Sequence, residues 1–406
     1  MPFVAFGLAV AIHPLFVDAA TVLRWAFAGI TIPLVMMYRP APNFGAGHCL
    51  FGLWLLYASC SLLWSPILVD SIPSVFYLGL MFAVFCLNDG NDEAVWRWFR
   101  YGAVLSCLVV GAQALGWQGL PQSSAPGGLF MNKNVAAEVA AIALICGPKA
   151  KTRVAAILIV AVLLAESRAA YAALAIYLFW EVGAKYRLRI CGAVAILALS
   201  VVALGPGREW VDMLSPATLG IRLGLWWDAL SGFTFFGHGA GSFFSEFPKY
   251  NKNLDIVLDR PEHPHNEFVL LAFELGVGAL VPLAFFGYIA RAGAYSGAVL
   301  ACVLLLCFGF PFQTPASALM LAYFFGGLAR SRDNLLLQYT SRGMGVQTGG
   351  GLAGSSRPNY SHAYGREGDQ PFQPFLEARP RSVRFPGARR NFGFSGTPSY
   401  GAGTWG

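Results

Sequence analysis

Charge is what this sequence has least of. Asp, Glu, Lys and Arg make up 12% of its 406 residues, about half the ~25% of an average soluble domain. Hydrophobic residues make up 56%, and long apolar runs recur over the first 330 residues. This balance excludes a water-soluble globule and indicates a polytopic membrane protein.

The sequence also lacks a cysteine arrangement typical of disulfides or metal sites, and it lacks a nucleotide-binding motif. All eight cysteines lie within or beside apolar runs, which argues against a disulfide framework or a zinc cluster. No GxxxxGK[ST] loop occurs, and the turn at 237–242 departs from GxGxxG because Ser242 takes the final glycine position. Cytosolic nucleotide chemistry is therefore not expected.

The apolar runs predict an all-α integral membrane protein, a polytopic bundle of about twelve transmembrane helices. The first run lacks a cationic stretch and a small-residue cleavage site, so we expect a retained span and not a cleaved signal. The candidate spans cover residues 1–17, 19–37, 48–64, 70–88, 99–117, 134–148, 154–166, 168–183, 189–205, 266–290, 293–310 and 313–330.

Basic residues in the short connections predict the orientation. One set of connections carries twelve Lys and Arg, whereas the opposite set carries only Arg24, Lys133 and Arg168. Because basic connections stay in the cytoplasm, both termini are expected there. The large loop at about 206–264 is expected on the periplasmic side.

Residues 331–406 differ from the membrane domain, residues 1–330, in composition. They hold 14 Gly and 6 Pro among 76 residues, with nine Arg, no Lys and four acids. Such a composition is typical of disordered segments. We expect a disordered cytoplasmic tail that either is simply solvated or is attracted to anionic membrane lipids.

The loop at about 206–264 is too long for a simple connector. It is rich in Trp, Phe and Gly, and residues 221–230 (IRLGLWWDAL) predict a short helix. Arg222 and Trp226 are four residues apart and therefore share one face of that helix. A glycine-rich turn follows at 237–241. We expect this loop to fold, with short helices.

Polar residues at membrane depth are costly and are therefore candidates for function. The pair Asn132 and Asn134, followed by Glu138, begins the sixth span, where ordinary helix capping is the alternative. Arg168 in a short outer connection binds either lipid phosphate or an anion in a cavity. Together with Arg222 it could clamp a diphosphate, since guanidinium offers paired donors to phosphate oxygens.

A last polar cluster, at 262–267, lies where the outer loop meets the tenth span. His263 and His265 are separated by one residue and followed by Asn266. A histidine here can accept a proton from a sugar hydroxyl near neutral pH. A metal pair and a merely structural pair are the alternatives; no other metal-ligand pattern accompanies the two histidines.

In order and motif, these clusters resemble the O-antigen ligase and polymerase-related superfamily of bacterial glycan-transferring membrane proteins. The resemblance covers roughly residues 130–282 and departs from the family pattern at Ala279. It is carried by Asn132-Lys133-Asn134, by Ser167-Arg168, by Arg222 to Trp226 with the turn at 237–243, and by His265-Asn266 with Gly276.

The resemblance implies ten to twelve helices and a site at the periplasmic face of the bacterial inner membrane. That site takes a glycan from undecaprenyl diphosphate and transfers it to a sugar hydroxyl, without cofactor or metal. The implied catalytic residues are His265, Arg222 and Arg168, and the implied substrate-binding residues are Asn132, Asn134, Asn266, His263 and Trp226. Other polysaccharide-assembly proteins are candidate partners, and nucleic acid is not expected.

Several functions stay open at this point. The acceptor could be lipid A-core in a ligation, a repeat unit in a polymerisation, or a growing exopolysaccharide. A transporter or flippase for a lipid-linked oligosaccharide is the alternative from another class. The long one-sided outer loop and the lack of a matching cytoplasmic polar cluster argue against it.

Overall fold

A computed structural model describes residues 1–10, 19–38, 44–88, 92–120, 122–181, 216–252, 261, 263–291 and 296–345. Over these residues the secondary structure is helical, with no strand and one isolated bridge, between Ser124 and Asn132. The all-α prediction is therefore confirmed for this part of the chain.

The helices follow one another with short connections. Short 3₁₀ helices cover Ser61–Leu63, Gly128–Phe130, Phe247–Lys249, Gly276–Ala279 and Pro311–Gln313. The α-helices are α1 (Pro2–Val10), α2 (Ala19–Met37), α3 (Ala46–Cys60), α4 (Leu68–Leu87), α5 (Glu93–Ala114), α6 (Lys133–Ile145), α7 (Thr152–Leu164), α8 (Arg168–Glu181), α9 (Pro216–Ser231), α10 (Phe243–Glu246), α11 (Glu267–Leu275), α12 (Leu280–Ala290), α13 (Ser296–Phe308) and α14 (Pro315–Gly345).

Most candidate spans contain one of these helices, and the span at 189–205 lies outside the described residues. Three described segments are long and apolar enough to cross a membrane by themselves: Ala46–Leu63, Leu68–Leu87 and Glu267–Ala290. The protein is thus a helical membrane protein, and the number of twelve spans stays a prediction.

The C-terminal boundary of the membrane domain differs from the expected one at residue 330. Helix α14 continues to Gly345, so the tail expected to be disordered from residue 331 begins inside a helix. Its first part has a continuous run without Pro or Gly up to Gly343, which lets the helix of the last span continue. The remainder of that tail, 346–406, lies outside the described residues.

Helix α6, which carries Asn134 and Glu138, is bonded to α5 at its C-terminal end. From α5, Arg100 donates from Nε to the Ala143 carbonyl at 2.8 Å and from Nη2 to the Cys146 carbonyl at 3.3 Å. These bonds satisfy carbonyl groups that the helix end leaves unpaired. The residues of α6 from 135 to 145 are all buried, so this helix is a fixed wall of the bundle.

The glycine turn of the outer loop is bonded to the end of α11. The Gly239 amide donates to the Glu274 carbonyl at 2.8 Å, and the Val277 amide donates to the Phe235 carbonyl at 2.8 Å. Gly276 has φ +56, and a Cβ there would lie 2.3 Å from the Phe235 oxygen. Only glycine fits this approach, which explains the glycine that follows His265-Asn266 at a fixed distance.

Candidate functional site

Five separate stretches of the chain meet around one cavity of about 200 Å³, termed here the arginine cavity. They are the start of α6, the turn between α7 and α8, helix α9, the segment before α11 and the end of α13. The polar residues that line it are Lys133, Asn134, Glu138, Glu166, Ser167, Arg168, Arg222 and His265. The structure thus brings Arg168, Arg222 and His265 together, although 97 positions separate the first from the last.

The turn between α7 and α8 places Arg168 at the first residue of a helix. Glu166 takes a left-handed conformation, φ +54, and its carboxylate lies 3.6 Å from the Lys133 ammonium. This ion pair joins the turn to the start of α6. The lysine is therefore engaged with Glu166, which leaves the arginines as the cations for a bound anion.

Arg222 reaches the cavity from α9. Its Nη1 donates to the Phe308 carbonyl at the end of α13, at 3.2 Å. Burial lowers the pKa of the Arg222 guanidinium, and the positive charge of Arg168 lowers it further, while Glu138 raises it. The two guanidinium groups are thus close enough to repel each other, an arrangement that a bound anion would stabilise.

Glu138 lines the same cavity with a buried carboxyl group. Its side chain is 1% exposed, and its Oε2 has no hydrogen-bond partner within the part of the chain that the structure describes. A Cβ on Gly309 would lie 2.4 Å from Glu138 Oε1, so the carboxylate occupies the space that this glycine leaves. Its spacing of four from Asn134 was the sequence signal for this position.

His265 stands at the cavity in an unusual backbone conformation. Its φ is +53, and only Met131 and Glu166 share a positive φ among the described non-glycine residues. All three lie in the segments that form the site, and such conformations concentrate at functional sites because they cost energy. The His265 ring makes an edge contact with Phe310, with 5.2 Å between ring centroids.

The His265 imidazole is neutral at neutral pH. Burial lowers its pKa to about 4, and the nearby positive charge of Arg222 contributes to the lowering. A buried imidazole beside a cation disfavours its own charged form. A neutral ring is the form that can accept a proton.

A second cavity, of about 550 Å³, meets the arginine cavity at His265 and Phe310, which line both. It is termed here the second cavity. Its other polar and aromatic lining includes Arg24, Ser123, Phe130, Asn132, His263, Gln313 and Thr314. The His265 ring thus lies where two spaces meet, and Arg24 is a lining residue that the sequence patterns did not single out.

The structure assigns helix-capping roles to two predicted substrate-binding residues. The Asn132 side chain caps α6 by accepting from the Asn134 amide at 2.9 Å. The Asn266 side chain caps α11 by accepting from the Phe268 amide at 3.0 Å. Capping is the alternative that the sequence left open for Asn132, and it occupies the side-chain oxygen in both cases.

Trp226 and His263 contact the residues that flank His265 and do not line the arginine cavity. The Trp226 indole donates to the Pro264 carbonyl at 2.7 Å, beside His265, and does not line the two cavities. The His263 ring stacks on Phe310 at 5.9 Å between centroids, and it lines the second cavity but not the arginine cavity. Burial, with the charge of His265, lowers the His263 pKa to about 4.

Metal-ligating residues do not cluster in the described part of the chain, where no group of three or more His, Cys, Asp and Glu side chains could hold an ion. His263 and His265 therefore have no third described protein ligand beside them. The described cysteines are all free, and they lie outside both cavities.

Comparison with known proteins agrees with this arrangement. Residues 154–284 match the family described as O-antigen ligase. The match includes the turn before α8, helix α9 and the segment before α11, and it begins after Asn134 and Glu138. The curated proteins gave no match. The matched stretch contains Arg168, Arg222 and His265, so these three residues lie in the part of the chain that is similar to the O-antigen ligase family.

Proposed function

We propose that this protein transfers a glycan from an undecaprenyl-diphosphate-linked donor to a sugar hydroxyl at the periplasmic face of the inner membrane. The observation that carries this proposal is the convergence of Arg168, Arg222 and His265 on one cavity. Two guanidinium groups suit a diphosphate because they present planar, paired donors. The family match supports the class of reaction, O-antigen ligation or a related polymerisation in cell-surface polysaccharide synthesis.

The reaction that fits these groups is a displacement at the anomeric carbon. The acceptor oxygen forms a bond to that carbon while the bond from the carbon to the diphosphate oxygen breaks. The acceptor proton goes to the His265 imidazole, and the electron pair of the broken bond goes to the diphosphate. Arg168 and Arg222 stabilise the charge that develops on this leaving group. Attack from the face opposite the diphosphate inverts the anomeric configuration.

The two cavities fit the two substrates of such a displacement. The arginine cavity takes the diphosphate end of the donor, and the second cavity, which His265 also lines, takes the acceptor sugar. A base must reach the proton that it removes, and His265 is the histidine that touches both spaces. Of these two cavities His263 lines the second but not the first, so we assign it to acceptor binding.

A transfer assay tests this proposal. Purified protein receives a lipid-diphosphate-linked glycan and candidate acceptors, without nucleotide, and the products are separated by size. We expect a product that wild-type protein forms and Arg222→Ala protein does not. One added unit on a lipid A-core acceptor indicates ligation, whereas a ladder indicates polymerisation. Equal product from both proteins would contradict the proposal.

The pH dependence of transfer follows from the lowered pKa of His265. Transfer needs the neutral ring, so kcat/KM for the free enzyme is expected to fall only as pH decreases through about 4. A bound diphosphate offsets the Arg222 charge and raises the His265 pKa, so the acid limb of kcat is expected at higher pH than that of kcat/KM. An acid limb of kcat/KM near 6.5, the ordinary histidine value, would contradict this account, provided that the protein is folded at each pH.

A further inference from the structure

Arg24 is a buried cation with no counter-ion among the described residues. It lies in the apolar helix α2 and is 2% exposed. Its Nη2 donates to the Leu129 carbonyl at 2.8 Å, and its guanidinium carbon lies 4.3 Å from the centroid of the Phe130 ring. Its Nε has no hydrogen-bond partner, and no carboxylate among the described residues pairs with it. A charge buried at such a cost indicates a use for it.

The second cavity is where the missing anion could bind. Arg24 and Phe130 line it, together with Ser123, Asn132 and Thr314, and its described lining contains no Asp or Glu. The arginine cavity differs, because Glu138 and Glu166 line it. The positive field of Arg24 is therefore not offset by an acidic residue of the described lining, and neutral polar side chains form part of that lining.

We propose that the second cavity binds the acceptor glycan through an anionic group, a carboxylate or phosphate on the sugar, held by Arg24. This inference rests on the proposed function, since it gives the acceptor a chemical class. The guanidinium presents fixed paired donors that match either group, and its cation–π contact with the Phe130 ring helps to hold it in place. The neutral polar lining suits sugar hydroxyls, and His265 borders the same space.

A neutral acceptor would leave this arrangement unexplained. Binding it would keep Arg24 buried and unpaired, whereas an acidic sugar brings the counter-charge and removes that cost. Discrimination between the two acceptors is therefore expected from the site itself. The site rejects the neutral analogue because it leaves a buried charged donor without a partner.

Two oligosaccharides that differ in one group, a terminal hexuronic acid and the corresponding neutral hexose, test this inference. We expect wild-type protein to use the acidic acceptor with at least ~10-fold higher kcat/KM, and Arg24→Gln to reduce this ratio to near one. The KM for the lipid-linked donor should stay unchanged in Arg24→Gln, which shows that the variant is folded. Arg97→Gln, an exposed arginine of α5, should keep the wild-type ratio.

Binding measured without transfer separates this inference from the proposed function. Calorimetry in phosphatidylcholine nanodiscs compares the acidic and neutral oligosaccharides with wild-type, Arg24→Lys and Arg24→Gln proteins. Arg24-dependent binding of the acidic glycan supports the inference even where no transfer product forms. The absence of a transfer product would contradict only the proposed function. Equal binding of both glycans overturns the inference. Arg24-dependent retention of phosphatidylglycerol, with no difference between the glycans, assigns the guanidinium to a lipid headgroup and also overturns it.

Discussion

Replacing His265 with alanine is expected to lower kcat for glycan transfer by about 10²- to 10⁴-fold, the usual contribution of a positioned general base. The ring borders both cavities, is neutral because its pKa is lowered to about 4, and is fixed against Phe310. Its removal leaves the acceptor hydroxyl without a proton acceptor. The KM for the donor should change little, because Arg168 and Arg222 remain. Initial rates at saturating donor measure the effect.

His263→Ala is the matched control for this variant. The two rings contact the same Phe310, but His263 does not line the arginine cavity. We expect His263→Ala to raise the acceptor KM and to change kcat less than His265→Ala. Added imidazole should restore part of the activity of His265→Ala and none in His263→Ala. The reverse pattern would assign the base to His263, and full activity in His265→Ala would remove the histidine from the mechanism.

Replacing either Arg168 or Arg222 with alanine is expected to lower kcat/KM for the donor by roughly 10²- to 10³-fold, as for the loss of one donor to a developing oxyanion. The two guanidinium groups share one cavity, and the charge of Arg168 acts on Arg222. Both therefore hold the same diphosphate. Lysine at either position keeps the charge but not the paired donors, so partial activity is expected.

The double variant distinguishes a shared anion from two separate roles. If both arginines bind one diphosphate, the effects of Arg168→Ala and Arg222→Ala are strongly non-additive. Arg97→Ala, an exposed arginine paired with Glu93, should leave kcat/KM unchanged and controls for the loss of a positive charge. Additive losses, or a loss in Arg97→Ala of the same size, would show that the two arginines do not act as a diphosphate clamp.

The positions of the helices could be predicted from the apolar runs because a membrane span must satisfy its backbone internally. Helix α9 could be predicted because the spacing of residues around Arg222 and Trp226 is typical of a short helix. The capping by Asn132 could also be anticipated, because an asparagine before an apolar helix has few other uses. These features depend on neighbours in the sequence.

Other parts of the site depend on long-range packing and could not be predicted. Arg24 is one basic residue in an apolar run, and only the approach of Phe130, about a hundred residues later, reveals its cavity. Trp226 shares a helix face with Arg222, yet it supports Pro264 from outside the cavity. The lowered pKa of His265 likewise follows from burial and from Arg222, neither of which its local sequence specifies.

One measurement tests the central claim most directly: the number of undecaprenyl diphosphate molecules released per glycan joined to the acceptor. Wild-type protein in proteoliposomes receives donor and acceptor on the same side, and both products are quantified together. Displacement at the anomeric carbon predicts one undecaprenyl diphosphate for each new glycosidic bond, with both products lost in His265→Ala. Movement of intact lipid-linked glycan across the bilayer, without release of undecaprenyl diphosphate, would contradict the account and identify a carrier.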